Sequence, residues 1–226
     1  MRACARYTSA MPMLDVRGLS AGYGRAQVLF GIDLSVARGE VVALLGRNGA
    51  GKSTTLKAIM GLVELRGGEI VFAGERIEGR APHEIARLGL GYVPEERRIF
   101  TDLTAAENLE VGRQPPRAGA AAWTTGRLLE LFPALGKLLE RRGGSMSGGE
   151  QQMLCIARTL AGNPRMMLLD EPSEGLAPVI VSQVAAAIVQ MKRAGVAVLL
   201  AEQSKRFTER VADRGYTLQK GELLPA

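Results

Sequence analysis

Three short stretches carry residue types whose spacing suits phosphate chemistry. The first, GRNGAGKST at residues 46–54, fits a glycine-rich turn closed by lysine and serine, with Gly46, Gly51, Lys52 and Ser53 at the fixed positions. Gly46, Arg47, Asn48, Gly49, Ala50, Gly51, Lys52, Ser53 and Thr54 form the expected cradle, in which small residues let backbone N–H groups turn inward around an anion. Lys52 would neutralise the β- and γ-phosphates of a nucleoside triphosphate, and Ser53 would offer its hydroxyl to Mg²⁺. The second stretch, MMLLDEP, places Asp170 and Glu171 at the carboxyl end of an apolar run, where an open α/β sheet gathers its ligands. Asp170 is suited to hold Mg²⁺ through water, and Glu171 to polarise an attacking water. The third, SMSGGEQQ, opens an amphipathic helix with the N-cap type residue Ser147 and two glycines, Gly148 and Gly149, that permit close backbone approach. It is a second phosphate-binding helix start, and it has no lysine.

These residues need elements to hold them. EVVALLG reads as a buried strand running into the glycine-rich turn, followed by KSTTLKAIMGL with helical spacing. RMMLLDE and VAVLLAEQ have the same strand character and are separated by a helical stretch from about Pro178 to Arg193. That alternation predicts an α/β core with a parallel sheet. Between Leu14 and about Val36, and again in GEIVFAGERI, alternating segments punctuated by glycine predict an antiparallel β part. A mostly helical subdomain is expected at roughly residues 81–160, inserted into the α/β core; behind Ser147, Met153, Ile156, Ala157 and Leu160 would form its buried helix face. Residues 1–12 read as a flexible N-terminal extension, with Met11 or Met13 as alternative starts, and residues 13–226 as a single domain.

Composition bounds the possibilities. A 226-residue chain with 46% hydrophobic residues has the content of an ordinary globular core. The net charge of +6 comes from 29 basic and 23 acidic residues, scattered without a run of five like charges, so a solvated surface is favoured over a nucleic-acid patch. Two cysteines, Cys4 and Cys155, cannot build a metal site and make a poor disulfide pair, which suits a reducing compartment. No apolar run of about 18 residues occurs, so any membrane role must come through a partner.

Taken in order, GRNGAGKST, SMSGGEQQ and LLDEP resemble the ATP-binding cassette of ABC transporters, from about Leu14 to Leu223. The resemblance implies the P-loop NTPase fold of that family, α/β with a RecA-like parallel core, an antiparallel β part and an inserted helical subdomain. It also implies an ATPase using ATP and Mg²⁺. Ser147, Gly148, Gly149 and Glu150 match the family's signature motif, with Met146 where leucine is usual, a volume-conserving exchange. In that family two cassettes pack head to tail, and the signature of one presses on the γ-phosphate held by the lysine loop of the other. The missing lysine of the second helix start would then be supplied by a partner, either a second copy or a related chain.

Other positions follow residue by residue. Tyr23 resembles the aromatic that stacks on adenine. Glu95 stands where most cassettes have glutamine, and offers an oxygen to Mg²⁺. Gln203 stands where a histidine usually contacts the γ-phosphate, and it can hydrogen-bond but cannot carry an imidazolium charge. Ala177 replaces a common aspartate. YVPEERRIF, DEPSEGLAP, AEQS and ADRGYTLQKGEL together are similar to the smaller ATPase subunit of branched-chain amino acid importers. That branch implies two transmembrane permease subunits, an indirect solute-binding protein, and a peripheral place on the cytoplasmic face of the bacterial inner membrane. Ile99 and Phe100, beside Arg97 and Arg98, are expected to take the push of a permease helix. Urea and amide importers are the nearest rival class, and lipopolysaccharide-export ATPases a more distant one. A nucleic-acid ATPase is disfavoured, because Lys52 and Ser147 stand only 95 residues apart with no heptads between them.

Overall fold

The continuous apolar runs become parallel strands buried on both faces. The computed structural model describes residues 11–117 and 122–224. Most of the expected N-terminal extension, with Cys4, lies outside the described residues. Strand β1 (Leu14–Tyr23) pairs antiparallel with β2 (Ala26–Val36). After β3 (Val41–Leu45) and helix α1 (Lys52–Ile59), strands β4 (Leu65–Phe72) and β5 (Glu75–Arg76) complete a sheet ordered β2-β1-β4-β5. Leu14 and Val16 alternate into the core, and after a register shift Leu19 and Ala21 do the same, as expected of an antiparallel sheet with one covered face.

The chain then adds α2 (Pro82–Leu88) and β6 (Leu90–Val93), followed by α3 (Ala105–Gly112), α4 (Thr125–Leu131), α5 (Pro133–Gly136) and α6 (Gly148–Ala161). It closes with β7 (Met166–Asp170), α7 (Pro178–Arg193), β8 (Ala197–Glu202), α8 (Lys205–Val211), β9 (Arg214–Gln219) and β10 (Glu222–Leu223). The second sheet runs β10-β9-β3-β8-β7-β6, parallel throughout except for the edge pair β9–β10. Every residue of β7 and β8 is buried.

One expectation moves. The stretch of roughly 81–160 was expected to be a helical insertion, yet it contains β6, whose Leu90 to Val93 pair in register with Met166 to Leu169 of the parallel sheet. Four residues with a glycine among them give too short an apolar run to show period or length. The helices that lie between β6 and β7 therefore begin at α3.

The parallel sheet separates two hydrophobic clusters. On one side Leu168 and Leu199 pack with Leu56 and Ile59 of α1 and with Leu14 and Phe72 of the antiparallel sheet. On the other, Leu169 and Leu200 pack with Met153, Ile156 and Leu160 of α6 and Ile188 of α7. Strand period two sends successive leucines to opposite faces, so one sheet binds both layers. The order β3-β8-β7 also sets three strand ends side by side, and the chemistry-bearing loops leave from those ends.

Candidate active site

The lysine loop links β3 to α1. Gly49 (φ 78°) and Gly51 (φ 110°) adopt the left-handed region that glycine enters without steric cost. At Gly46 a β-carbon would lie 2.6 Å from the carbonyl oxygen of Leu218 in β9, so that strand forbids a side chain. Helix α1 has no side-chain cap, which leaves its first N–H groups available to an anion. The Lys52 side chain is 3% exposed; its ammonium donates to the carbonyls of Gly46 (2.8 Å) and Arg47 (3.2 Å) and pairs with Glu171 Oε1 at 2.8 Å.

Strand β7 delivers the two carboxylates. Asp170 is 1% exposed; Oδ1 accepts from the Ser53 hydroxyl at 2.8 Å and Oδ2 from the Tyr92 hydroxyl at 3.1 Å. Burial raises the pKa of Asp170, and the two hydroxyl donors oppose that rise without cancelling it. Burial, followed by the charge of Asp170, pushes the Tyr92 phenol far up, so it remains a donor. Glu171 has φ 47°, a left-handed conformation uncommon for a non-glycine residue; its N–H donates to Ala201 at 2.9 Å and its side chain is held by Lys52.

Ser53 and Asp170 present only oxygen donors, the set a small hard cation prefers. Among the described residues no group of three or more His, Cys, Asp or Glu could hold a metal ion alone. Magnesium takes one or two carboxylates and completes its sphere with water and phosphate oxygens.

A cleft of 390 Å³ is lined by Asn48, Gly49, Gly51, Lys52, Ser53, Thr54, Glu95 and Glu171, together with Val28 and Glu174; Asp170 does not line it and meets it through Ser53. Glu95 thus reaches the cleft from the segment after β6. Glu174 was not expected; burial, then the charges of Glu171 and Glu95, raises its pKa. Tyr23, half exposed at the end of β1, and Gln203, exposed after β8, do not line it.

The second helix start stands apart. Ser147 caps α6 and Glu150 reciprocates: the Ser147 N–H donates to Glu150 Oε2 at 2.7 Å and the Glu150 N–H to Ser147 Oγ at 3.4 Å. A β-carbon on Gly148 would meet the Arg97 guanidinium at 2.7 Å, and one on Gly149 would meet Ile180 of α7 at 2.9 Å. Met153, Ile156, Ala157 and Leu160 are buried behind them, as expected from the helical spacing. None of residues 147–150 lines the lysine-loop cleft.

Sequence reasoning missed Tyr92 and a further group, Glu202. The buried Glu202 carboxylate accepts from Ser173 Oγ (2.5 Å) and Ser173 N–H (3.2 Å), and from the N–H groups of Gln203 and Ser204 (3.1 Å each). It ties the loop after Glu171 to the loop that carries Gln203. A single strand-end glutamate gives no sequence signal of a partner 29 residues away.

The chain matches the ABC transporter family over residues 29–174. The chain belongs to that family. The cassette is 42% identical to the high-affinity branched-chain amino acid transport ATP-binding protein BraG of Pseudomonas aeruginosa, across 94% of its own length and 91% of that relative. It is 37% identical to the lipopolysaccharide export ATP-binding protein LptB of Acidithiobacillus ferridurans, across 95% and 89%. The branched-chain amino acid transport protein LivF of Archaeoglobus fulgidus, described as probable, shares 32% across 92% and 89%. An ATP-binding subunit of an ABC transporter superposes with a TM-score of 0.82 at 32% identity, covering 93% of the cassette and 88% of that chain. The cassette is therefore an ATP-binding ATPase of the transporter class, with the P-loop ABC fold. Among the described residues no helix is long and apolar enough to cross a membrane.

Proposed function

We propose that the cassette hydrolyses ATP at a site completed by a second cassette, and thereby drives uptake of branched-chain amino acids through two partner permeases. The observation that carries the substrate class is the 42% identity to a branched-chain amino acid transport ATPase over nearly both full lengths. The shared site is supported by the separation of the two phosphate-binding helix starts, and by the likeness to a bacterial ABC transporter cassette whose structure is dimeric.

In this reading the N–H groups of residues 46–54 and the Lys52 ammonium bind the triphosphate, and Tyr23 offers its exposed ring to adenine. Ser53 and Asp170, with Glu95 nearby, would hold Mg²⁺, which neutralises charge on the transferring phosphoryl group. Lys52 exchanges Glu171 for phosphate oxygen, and the freed carboxylate takes the proton of the attacking water. Gln203 supplies a hydrogen bond at the γ-phosphate, and Glu202 holds its backbone. From the partner, Ser147, Gly148 and Gly149 complete the site, while Glu150 keeps the helix start in shape.

A 660 Å³ groove between α2–β6 and the α3–α6 pair, with Leu62, Phe100 and Val111 exposed on its rim, suits a permease's cytoplasmic helix. Phe100 is 48% exposed there, whereas Ile99 turns into the core cluster. Docked in this way the cassette lies on the cytoplasmic face of the inner membrane, with no nucleic acid involved. The similarity to LptB favours a second reading, lipopolysaccharide export. Reconstitution with cognate permeases decides: leucine delivered by a solute-binding protein raises ATP turnover on the first reading. Turnover that ignores branched-chain amino acids overturns it.

A further inference from the structure

Tyr92 faces two places at once. Its residue forms part of the wall of the 660 Å³ groove, and its hydroxyl reaches through to Asp170 Oδ2 at 3.1 Å. The other hydrogen-bonding side chains of that wall bind elsewhere: Arg117 to the carbonyls of Gly162 and Asn163, Arg158 to Asn108 and Arg98, and Thr159 to Cys155. Among the described residues Tyr92 is thus the groove residue whose side chain bonds the nucleotide site.

The other oxygen of Asp170 is held by Ser53, and that hydroxyl is itself needed as a cation ligand. When Ser53 turns its lone pairs to a cation, Tyr92 remains as the side-chain donor that fixes the carboxylate. A buried carboxylate with one free rotation loses affinity for a cation through misorientation, and a donor on the far oxygen removes that freedom. We infer that Tyr92 is a positioning residue, whose hydroxyl holds Asp170 in the orientation that keeps Oδ1 beside Ser53 as the cation-binding pair. The inference rests on Asp170 being the cation carboxylate.

The test titrates Mn²⁺ by electron paramagnetic resonance into the full chain with a non-hydrolysable ATP analogue. Tyr92→Phe keeps the ring in the groove wall and deletes the donor. Its Mn²⁺ dissociation constant is expected to rise about tenfold, the lower end of what losing an outer-shell partner costs a metal site. Analogue affinity in EDTA should stay at the wild-type value. An unchanged Mn²⁺ constant overturns the inference, as does an equal loss of metal-free analogue binding, which would mark a general distortion. Asp170→Asn separates the two levels. If it leaves Mn²⁺ binding intact, the cation reading itself falls; if it abolishes binding while Tyr92→Phe changes nothing, only the role of Tyr92 falls.

Discussion

At the scale of single residues, the ion pair between Lys52 and Glu171 ties the lysine loop to the end of β7. Both side chains are buried, so removing either alone strands a charge in a low-dielectric setting, at about 3–5 kcal/mol. Lys52→Ala is therefore expected to lower the melting temperature and to lose nucleotide binding. The double variant Lys52→Met with Glu171→Gln should recover much of the melting loss, since neither charge remains. Calorimetry of the two variants checks this, and a double variant less stable than the single one would contradict it. Glu171→Gln alone should bind ATP yet stop turnover, and normal turnover would refute its assignment. Asp170 has a second consequence. Its pKa is raised on folding, so the folded chain holds that proton more tightly than the unfolded one, and stability falls as pH rises through the acidic range. Asp170→Asn should consequently melt higher at pH 7 without nucleotide. Lys52, Ser53, Asp170 and Glu171 were legible because each belongs to a contiguous motif. Tyr92 and Glu202 were not, because their partners lie 78 and 29 residues away in sequence and meet only through the strand order β8-β7-β6.

At the scale of elements, α6 shows how two adjacent glycines do different work. Gly149 faces Ile180 of α7, so Gly149→Ala must push two helices apart, at about 1–3 kcal/mol. Gly148 faces only the far end of the Arg97 side chain, which can move aside. Gly148→Ala should therefore keep its melting temperature while losing hydrolysis, because the closed backbone approach is what the partner's phosphate needs. A melt shift at Gly148 as large as that at Gly149 would contradict the distinction. The largely or fully buried strands β3, β7 and β8 and helix α7 could be read from unbroken apolar runs and from helical spacing. Strand β6 could not, since only Leu90 and Val93 of its four residues are buried. Strand β9 shows one buried residue, Leu218, and gets its place from pairing with β3 instead of from its own pattern.

At the scale of the whole molecule, the proposed site is divided between chains. The lysine loop and Glu171, the residue that follows β7, meet at one cleft, and the capped start of α6 opens elsewhere on the surface. A chain acting alone would leave that start with nothing to bind. The groove beside β6 extends the same logic to the permease: a helix seated there touches Phe100 and Val111, so cysteines at those positions should cross-link to a cognate permease, while one at the inward-turned Ile99 should not. The most direct measurement concerns Ser147, an exposed residue where Ser147→Arg can be accommodated without disturbing the core. ATP binding to the isolated monomer is expected to stay at the wild-type affinity, while hydrolysis at concentrations that allow pairing falls at least about a hundredfold, the loss typical of removing one transition-state donor. A variant that loses nucleotide binding as a monomer, or that hydrolyses ATP at the wild-type rate, would contradict the divided site.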